Sequence, residues 1–463
     1  MSARPGPASW APGSGPRPGG LPRLLPPGPG QPESLGAHFG RLGHLPYRNA
    51  PRQLIPELEA AGLTGRGGAG FPVHRKLAAV ASAGGRPVVV GNGAESEPAS
   101  SKDVALLWLA PHLVLDGLQL TAEAVGARQA CLYVHEADHG PLGDRLRQAL
   151  SERWAAQVDR VPVQLASAPA RFLAGQETAM VSLLNGGEAI PSYAPPRVFE
   201  RGVGGAPTLV QNVETLAHIA LIARFGPGWF RQLGTAAEPG SMLCTLHHAD
   251  GSTQVTEAAL GTPLSALLAP DLAPGQNLPP SPAFPAGPAN PRRPTSRAQA
   301  VLIGGYHGAW LPADRAAHLT LDNAALRAGG GFLGAGVIAA LPAGRCGLAE
   351  TARVVRYLAL ESAGQCGPCL NGLPRIAGGL AELAGPRPGP QVRADVERWA
   401  GLVSGRGACA HPDGSVRFVR SALTVFAAEL RQHANGRCPA TTTKPFLPLP
   451  DPATGHHSNG SRR

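Results

Sequence analysis

Through positions 46–235, short apolar and β-branched runs alternate with longer stretches whose apolar residues recur every three or four positions. The runs at 88–90, 130–134 and 161–165 read as buried strands, and 54–61, 101–125, 142–157 and 175–184 as helices. Strands separated by helices pair in parallel with the helices on the sheet faces, which predicts an α/β domain over 46–235. Short strands within 242–268 and 300–311, set among turn residues, predict a small α+β module over 236–318, interrupted by a proline-crowded insertion at 269–298. From 323 the period becomes helical. Segments at 348–360, 370–383, 392–403 and 416–433 with short links predict a four-helix bundle over 323–437. The flanks, 1–45 and 438–463, are rich in proline or low in complexity and are expected to be disordered, the first lacking the apolar stretch of a signal peptide.

Composition narrows the class. A chain of 463 residues with 43% hydrophobic content can bury several cores. No apolar run approaches the roughly 20 residues of a membrane span, so a cytoplasmic chain without a transmembrane segment is expected. The net charge of +10 is spread along the chain as arginine and is not gathered on one helix with interleaved aromatics, which argues against a nucleic-acid partner. An anionic cofactor, an acidic protein or an anionic membrane face would draw on the same charge. Seven cysteines in a long chain without a secretory signal point to thiol, metal or redox chemistry and away from a disulfide framework.

The densest chemical signal is Gly65-Arg66-Gly67-Gly68-Ala69-Gly70-Phe71-Pro72, with Lys76 four residues on. Residues without Cβ atoms let successive backbone N–H groups converge on an anion, so the run reads as a phosphate cradle. It satisfies the dinucleotide fingerprint in spacing but follows a helix where that fingerprint follows a strand, and no Lys-Ser or Lys-Thr closes it as a Walker loop. Lysine occurs only at 76, 102 and 444, every other cation being arginine. Where arginine serves elsewhere, a retained lysine suggests a need for a compact point charge. A second loop, Asn92-Gly-Ala-Glu95-Ser-Glu97-Pro98, leads to Lys102-Asp103 and leaves the carboxyl end of a strand, where open α/β sheets bind ligands.

Cys366-Gly-Pro-Cys369 follows the first helix of the bundle, and Cys409 lies in Gly405-Arg-Gly-Ala-Cys ahead of the last. Three chemistries compete for these thiols. A thioredoxin-type dithiol shares the Cys-Gly-Pro-Cys spelling but belongs where a strand opens a helix. Zinc would use a fourth ligand such as His411. An iron–sulfur cluster suits thiolates in a glycine-lined pocket. Other motifs read as structure: His135-Glu-Ala-Asp-His139 as a loop between a strand and Gly140-Pro141, His247-His248 and His456-His457 as exposed pairs, Cys131 and Cys244 as core residues, and Cys346 as a helix start.

Taken together, these segments resemble the NADH-oxidising flavoprotein of respiratory complex I, called the F subunit in bacteria, and its relatives in NAD-reducing hydrogenases and formate dehydrogenases. The resemblance runs from about 54 to 439. Residues 62–72 with Lys76 are similar to that family's flavin and NADH loop, and 92–103 to its Asn-Ala-Asp-Glu-x-Glu-Pro-Gly-Thr-x-Lys-Asp segment. Gly175-Gln-Glu-Thr-Ala179 resembles its Gly-Glu-Glu-Thr-Ala, Pro207 to Thr215 its Pro-Thr-x-x-Asn-Asn-Val-Glu-Thr, and Glu361 to Cys369 its Glu-Ser-Cys-Gly-x-Cys-x-Pro-Cys.

The resemblance implies an α/β chain of three parts: a Rossmann-like FMN-binding domain, a ubiquitin-like β-grasp (SLBB) module and a C-terminal four-helix iron–sulfur domain. It implies FMN taking hydride from NADH and releasing electrons singly to an iron–sulfur cluster, since a flavin can do both and a cluster carries one electron. The cofactor-binding residues carried over are Gly65, Arg66, Gly67, Gly68, Ala69, Gly70, Phe71, Lys76, Asn92, Glu95, Gly175, Gln176, Glu177, Gln211 and Asn212. Glu95 and Glu97 take catalytic roles beside NADH, and Cys366, Cys369 and Cys409 are the cluster ligands. The implied partner is an electron-acceptor protein, ferredoxin-like or of the complex I E or G type, which would bring the chain to the inner face of a membrane redox complex.

Departures from the pattern are specific. Ala363 stands at the first cluster cysteine, so three thiolates would hold a three-iron (3Fe-4S) cluster, or a four-iron (4Fe-4S) cluster with Ser362, Cys346 or Cys438 as a substitute ligand. Ala94, Phe172, Gln176 and Gln211 replace an aspartate, a tyrosine, a glutamate and an asparagine near the flavin. Ala194, Arg197 and Ser101 alter the NADH entrance. These losses motivate an alternative, a non-catalytic electron-transfer or scaffold protein that keeps the fold without hydride chemistry.

Overall fold

A computed structural model of the protein describes residues 20–28, 30–192, 195–269, 271–272, 298–438 and 440–450. The disordered arm expected over 1–45 is contradicted by its second half. Leu24 and Leu25 are buried in the largest core, and the amides of Arg23 and Leu24 donate to Glu257 at 2.7 and 2.8 Å. Ser34 then caps helix α1 (Leu35–Leu42). Two adjacent leucines suffice to dock a segment whose proline content hid them.

The first domain follows the predicted alternation. Helices α2 (Leu54–Ala61) and α3 (Val73–Ser82) precede strand β1 (Val88–Gly93). Helices α4 (Lys102–Leu109) and α5 (Pro111–Val125) lead to β2 (Gln129–His135), then α6 (Pro141–Ala155), β3 (Val163–Ala168), α7 (Glu177–Leu184), β4 (Thr208–Asn212) and α8 (Val213–Phe230). All four strands are parallel, in the order β3-β2-β1-β4. The chain moves outward from β1 to β3 and then returns to the other side of β1, so the strand order reverses between β1 and β4. The helix expected over 101–125 is two helices at 95° to one another. Pro111 supplies no N–H to the preceding turn and bars the residue before it from helical geometry, so the chain turns at Ala110. No single helix among the described residues is long and apolar enough to cross a membrane, and the bent pair α4–α5 is buried in this domain's core.

The second sheet has five strands: β5 (Ser241–His247), β6 (Thr253–Ala259), β7 (Ala298–Ile303), β8 (Ala309–Pro312) and β9 (Val337–Pro342), in the order β6-β5-β9-β7-β8. Short helices α9 (Leu264–Leu267), α10 (Ala313–Ala317) and α11 (Asn323–Gly329) connect them. Strand β9 corrects the sequence reading. It is buried along its whole length, pairs in parallel with β5 and closes the sheet, so the boundary expected at 318–323 falls inside this module. A short apolar run such as 337–342 does not reveal its period. Most of the insertion expected at 269–298 lies outside the described residues.

The C-terminal helices are α12 (Gly347–Leu360), α13 (Leu373–Leu383), α14 (Val392–Val403), α15 (His411–Val425) and α16 (Ala427–Ala434). The expected fourth helix is thus two, broken at the buried Phe426. That ring lies where a Cβ on Gly347 would meet it at 2.2 Å, so the break seats an aromatic against the start of α12. Part of the tail expected to be disordered from 438 is packed, at 446–449. Leu447 is buried, the amides of Phe446 and Leu447 donate to Glu350 at 3.0 and 3.1 Å, and the Tyr306 hydroxyl donates to the Pro448 carbonyl.

Candidate functional site

The glycine loop is closed at its base by the pairing of Thr64 with Pro72 and by the Gly65 amide donating to the Phe71 carbonyl at 2.9 Å. Within it Gly68 and Gly70 take φ of +103° and +64°, conformations that side chains disfavour. A Cβ on Gly67 would lie 3.2 Å from the Cβ of Asn212, which sets the loop directly over the carboxyl end of β4. Arg66 does not face a ligand. It is buried, and its guanidinium donates to Thr64, Pro239 and Ser241 while its amide donates to Thr215, so it braces the loop. Burial pushes its pKa down against the pull of Glu214 and Glu238. The amides of residues 67–70 stay outside the bonds that close the loop.

Asn92 and Asn212 are register partners on β1 and β4 and share the sheet face covered by α7. Asn92 Nδ2 donates to the Gly175 carbonyl at 2.8 Å, and a Cβ on Gly175 would stand 2.7 Å from the Ala94 carbonyl, so only glycine lets these strands meet the start of α7. Gln176 caps α7, its side-chain oxygen accepting from Thr178 and Ala179 at 2.8 and 2.9 Å. Glu177 pairs with Lys76 at 2.9 Å across the mouth between α3 and α7. Gln211 is the site residue that the fold separates from the others. Strand alternation turns it with Leu209 toward the α8 core, where it is buried and its Nε2 has no partner.

The carboxylates have structural work of their own. Glu95 accepts from Ser100 and from the Asp103 and Val104 amides at 3.2 and 3.1 Å, at the start of α4. Lys102 is buried between Asp103 at 2.7 Å and Glu214 at 2.8 Å, so it is not the spare phosphate contact that its rarity suggested. Burial alone would depress Lys102, but the two carboxylates hold its ammonium well above the usual range. Asp103 also accepts from Asn212 Nδ2 at 2.7 Å, tying this buried charge network to the site. Glu97 accepts from the Ala99 and Tyr306 amides at 3.3 and 2.8 Å. Burial pushes its carboxyl up to about 7 against those two bonds.

The second sheet supplies a wall that the motif reading missed. Gly305 packs on Glu97 and Gly68 packs on Gly334, with a Cβ placed at 2.5 and 3.5 Å from those partners. The signal was present as two further glycine-rich stretches, 304–308 within a segment read as strand and 329–336 within the region read as helical, and neither was singled out as a motif.

At the carboxyl end of α12, Cys366, Cys369 and Cys409 face one another. The Cys366 and Cys369 thiols are close enough to perturb each other's ionisation, and the Ser362 hydroxyl is close enough to Cys369 to favour its thiolate. Burial raises Cys369 to about 12 and also raises Cys409; it pushes Cys366 up as well, but there the Ala408 and Cys369 amides and the Cys369 thiol together outweigh it and lower the pKa. His411 is no spare zinc ligand: one ring nitrogen meets the Leu358 carbonyl at 2.8 Å and the other meets His307 at 3.0 Å. Cys346 stands at the opposite end of α12, about 20 Å away along a helix of this length, which removes it as a fourth cluster ligand. The two regions meet through one short segment. Phe172, three residues before Gly175, donates its amide to Glu361 at 2.8 Å, and its ring packs edge-on against His307 and Tyr357.

One further expectation is corrected. His247 and His248 are buried, bonded to the Ala99 carbonyl at 2.7 Å and to Asp271 at 2.6 Å. The altered entrance residue Ala194 lies outside the described residues.

The residues fit the groups they are expected to hold. Open amides, a lysine and two asparagine side chains gather at the β1/β4 reversal. On the same face the Tyr133 hydroxyl, register partner of Asn92, is buried with no partner, a donor that a polar ligand would satisfy. Three thiols and a hydroxyl match the donor chemistry of an iron–sulfur cluster.

A nucleotide-type cradle on a parallel sheet, joined through one loop to a thiol cluster on a helical domain, defines the flavin and iron–sulfur electron-transfer class. Residues 58–221 match the family model of the Nuo51 FMN-binding domain, and residues 349–433 that of the NADH-ubiquinone oxidoreductase-F iron-sulfur binding region. The NADH-quinone oxidoreductase F subunit of Streptomyces coelicolor is 30% identical over 411 residues, covering 85% of this chain and 86% of the relative. The corresponding F 2 subunit of Rhizobium meliloti is 28% identical over 403 residues, covering 84% and 90%. A solved NAD+-reducing NiFe hydrogenase in its H2-reduced state superposes with a TM-score of 0.71 at 25% identity, over 83% of this chain and 63% of the hydrogenase chain, so this chain spans under two thirds of that neighbour. The chain belongs to the family of NADH-quinone oxidoreductase F subunits.

Proposed function

We propose that this chain is an NADH-oxidising module that binds FMN at the β1/β4 reversal and an iron–sulfur cluster at Cys366, Cys369 and Cys409. The observation that carries the reading is the convergence of the glycine loop, Lys76, Asn92, Asn212 and Gly175 at one sheet edge, one hydrogen bond from the thiol-bearing turn through Phe172 and Glu361. FMN, when bound, accepts a hydride and releases electrons singly. Lys76 and the amides of residues 67–70 hold its phosphate. Asn92 and Asn212 orient it from the strand ends. Glu97 marks the NADH side from the seam between the two sheets, while Glu95 positions the loop by fixing the start of α4. Ser362, whose hydroxyl lies beside Cys369, is the fourth donor for a four-iron cluster.

Two of the substitutions that motivated a non-catalytic alternative are absorbed without loss of architecture: Gln176 caps α7, and Phe172 packs in the seam. The acceptor is a protein that covers the cluster end. Leu360, Leu370 and Leu402, which flank the thiols in the chain, are 67%, 59% and 51% exposed. Exposed apolar side chains of this size offer a surface for a partner.

The test is anaerobic reconstitution of the full chain with FMN, iron and sulfide, followed by NADH. Stoichiometric FMN that bleaches on NADH addition is expected. Failure to bind FMN, or a bound flavin that NADH never reduces, overturns the reading in favour of the scaffold alternative.

A further inference from the structure

A separate set of donors converges where the start of α12 meets α16. Cys346 is the N-cap of α12, its sulfur accepting from the Ala349 amide at 3.3 Å. That sulfur lies 3.4 Å from His433 Nε2 and 3.4 Å from Glu429 Oε2. Cys438, four residues past the end of α16, brings in a second thiol. One donor atom from each of Cys346, His433 and Cys438 lies within 4.8 Å of the other two. Glu429 and His433 are four apart on α16 and so share one helical face.

The histidine is arranged as a ligand. Its Nδ1 lies 3.0 Å from the Gly385 carbonyl, which can only accept, so the bonding places the proton on Nδ1 and leaves the Nε2 lone pair facing the sulfur. An outer carbonyl fixing the tautomer is the usual accompaniment of a metal-bound imidazole. The second observation is Glu429 itself. It is 6% exposed, one oxygen accepts from the Leu348 amide at 3.1 Å, and the other, Oε1, is buried with no partner. Spacing agrees as well. Ligands at ~2.0–2.3 Å from a tetrahedral zinc stand ~3.3–3.8 Å from each other, and the two contacts of the Cys346 sulfur are 3.4 Å.

We propose that Cys346, His433 and Cys438 bind one divalent cation of the zinc class, with the buried Glu429 carboxylate beside the Cys346 sulfur. Two sulfurs and an imidazole, with a buried carboxylate 3.4 Å from one sulfur, suit a structural ion that fastens the segment after α16 to the start of α12. It is independent of the cluster thiols at the far end of that helix.

The experiment uses the full chain with Cys366, Cys369 and Cys409 all replaced by serine, so that no cluster thiol contributes, and Zn2+ or Co2+ alone as the probe. One equivalent of bound metal is expected, with the absorption of a cobalt–thiolate bond when Co2+ is used. Cys438→Ser, at an exposed position, is expected to weaken Co2+ binding by more than the roughly 10–100-fold that loss of an outer-shell partner costs, with the circular dichroism spectrum unchanged. His433→Gln is expected to do the same. Absence of stoichiometric metal uptake overturns the proposal. So does uptake that both substitutions leave intact, or a Cys346–Cys438 disulfide in the anaerobically purified protein.

Discussion

Lys76 is the cation that the site leaves available to a ligand, since Arg66 is committed to its own loop and Lys102 to two carboxylates. Its present partner, Glu177, is partly exposed and would yield to a phosphate. A charge-assisted hydrogen bond contributes ~1.5–3 kcal/mol, so Lys76→Ala should weaken FMN binding ~10- to 150-fold, read by quenching of flavin fluorescence. An unchanged affinity would place the phosphate elsewhere. Ser362 is tested by Ser362→Ala: the oxidised variant should show the electron paramagnetic resonance signal of a three-iron centre, and identical spectra for variant and wild type would exclude the hydroxyl as a ligand.

Glu97 adds a pH signature at the same scale. A carboxyl raised from 4.5 to about 7 on folding binds its proton more tightly in the folded chain, so its stabilisation is complete below pH 4.5 and lost as pH rises through about 7. Glu97→Gln removes this titration. The wild type should therefore lose stability relative to the variant between about pH 4.5 and 7 and run parallel to it above, as urea midpoints would show. A constant difference across that window would mean that Glu97 does not titrate there.

At the scale of elements, what was legible is what has a local cause. Helices α2 and α14 occupy the predicted ranges because their apolar periodicity is undisturbed. The breaks at Ala110 and Phe426 were missed because apolar residues continue through each. Strand β9 was missed because burial on both faces erases its alternation. Gly117 shows how closely these elements approach: a Cβ there would lie 1.9 Å from the Leu216 carbonyl of α8. Backbone cannot retreat as a side-chain tip can, so Gly117→Ala should destabilise by at least the ~1–3 kcal/mol typical of overpacking. Gly378→Ala, on an exposed turn of α13 with nothing within 4 Å, should instead stabilise by roughly 0.5–1 kcal/mol. Thermal melts of the two variants moving in the same direction would refute this account of α5 against α8.

For the whole molecule, the sequence order of the motifs carries less than their meeting. Glycine loop, strand ends and cysteine pair were each readable because the chemistry demands unusual residues at short spacing. The seam was not, because Phe172 to Glu361 and Glu97 to Tyr306 join residues about 190 and 210 positions apart through ordinary backbone amides. That seam links the sheet edge to the thiol-bearing helices, and the exposed leucines at 360, 370 and 402 offer the acceptor an apolar surface. Introducing charge at Leu360 and Leu402 together, as Leu360→Glu with Leu402→Glu, should leave flavin bleaching by NADH unchanged, because both side chains are largely exposed on helices of the thiol-bearing domain and not on the domain that carries the glycine loop. Electron delivery to a protein acceptor should fall severalfold through weaker docking, with a raised half-saturation concentration and an unchanged limiting rate. A drop in flavin reduction itself would mean that the leucines support the site from within, and equal delivery at every acceptor concentration would mean that the acceptor docks on another face.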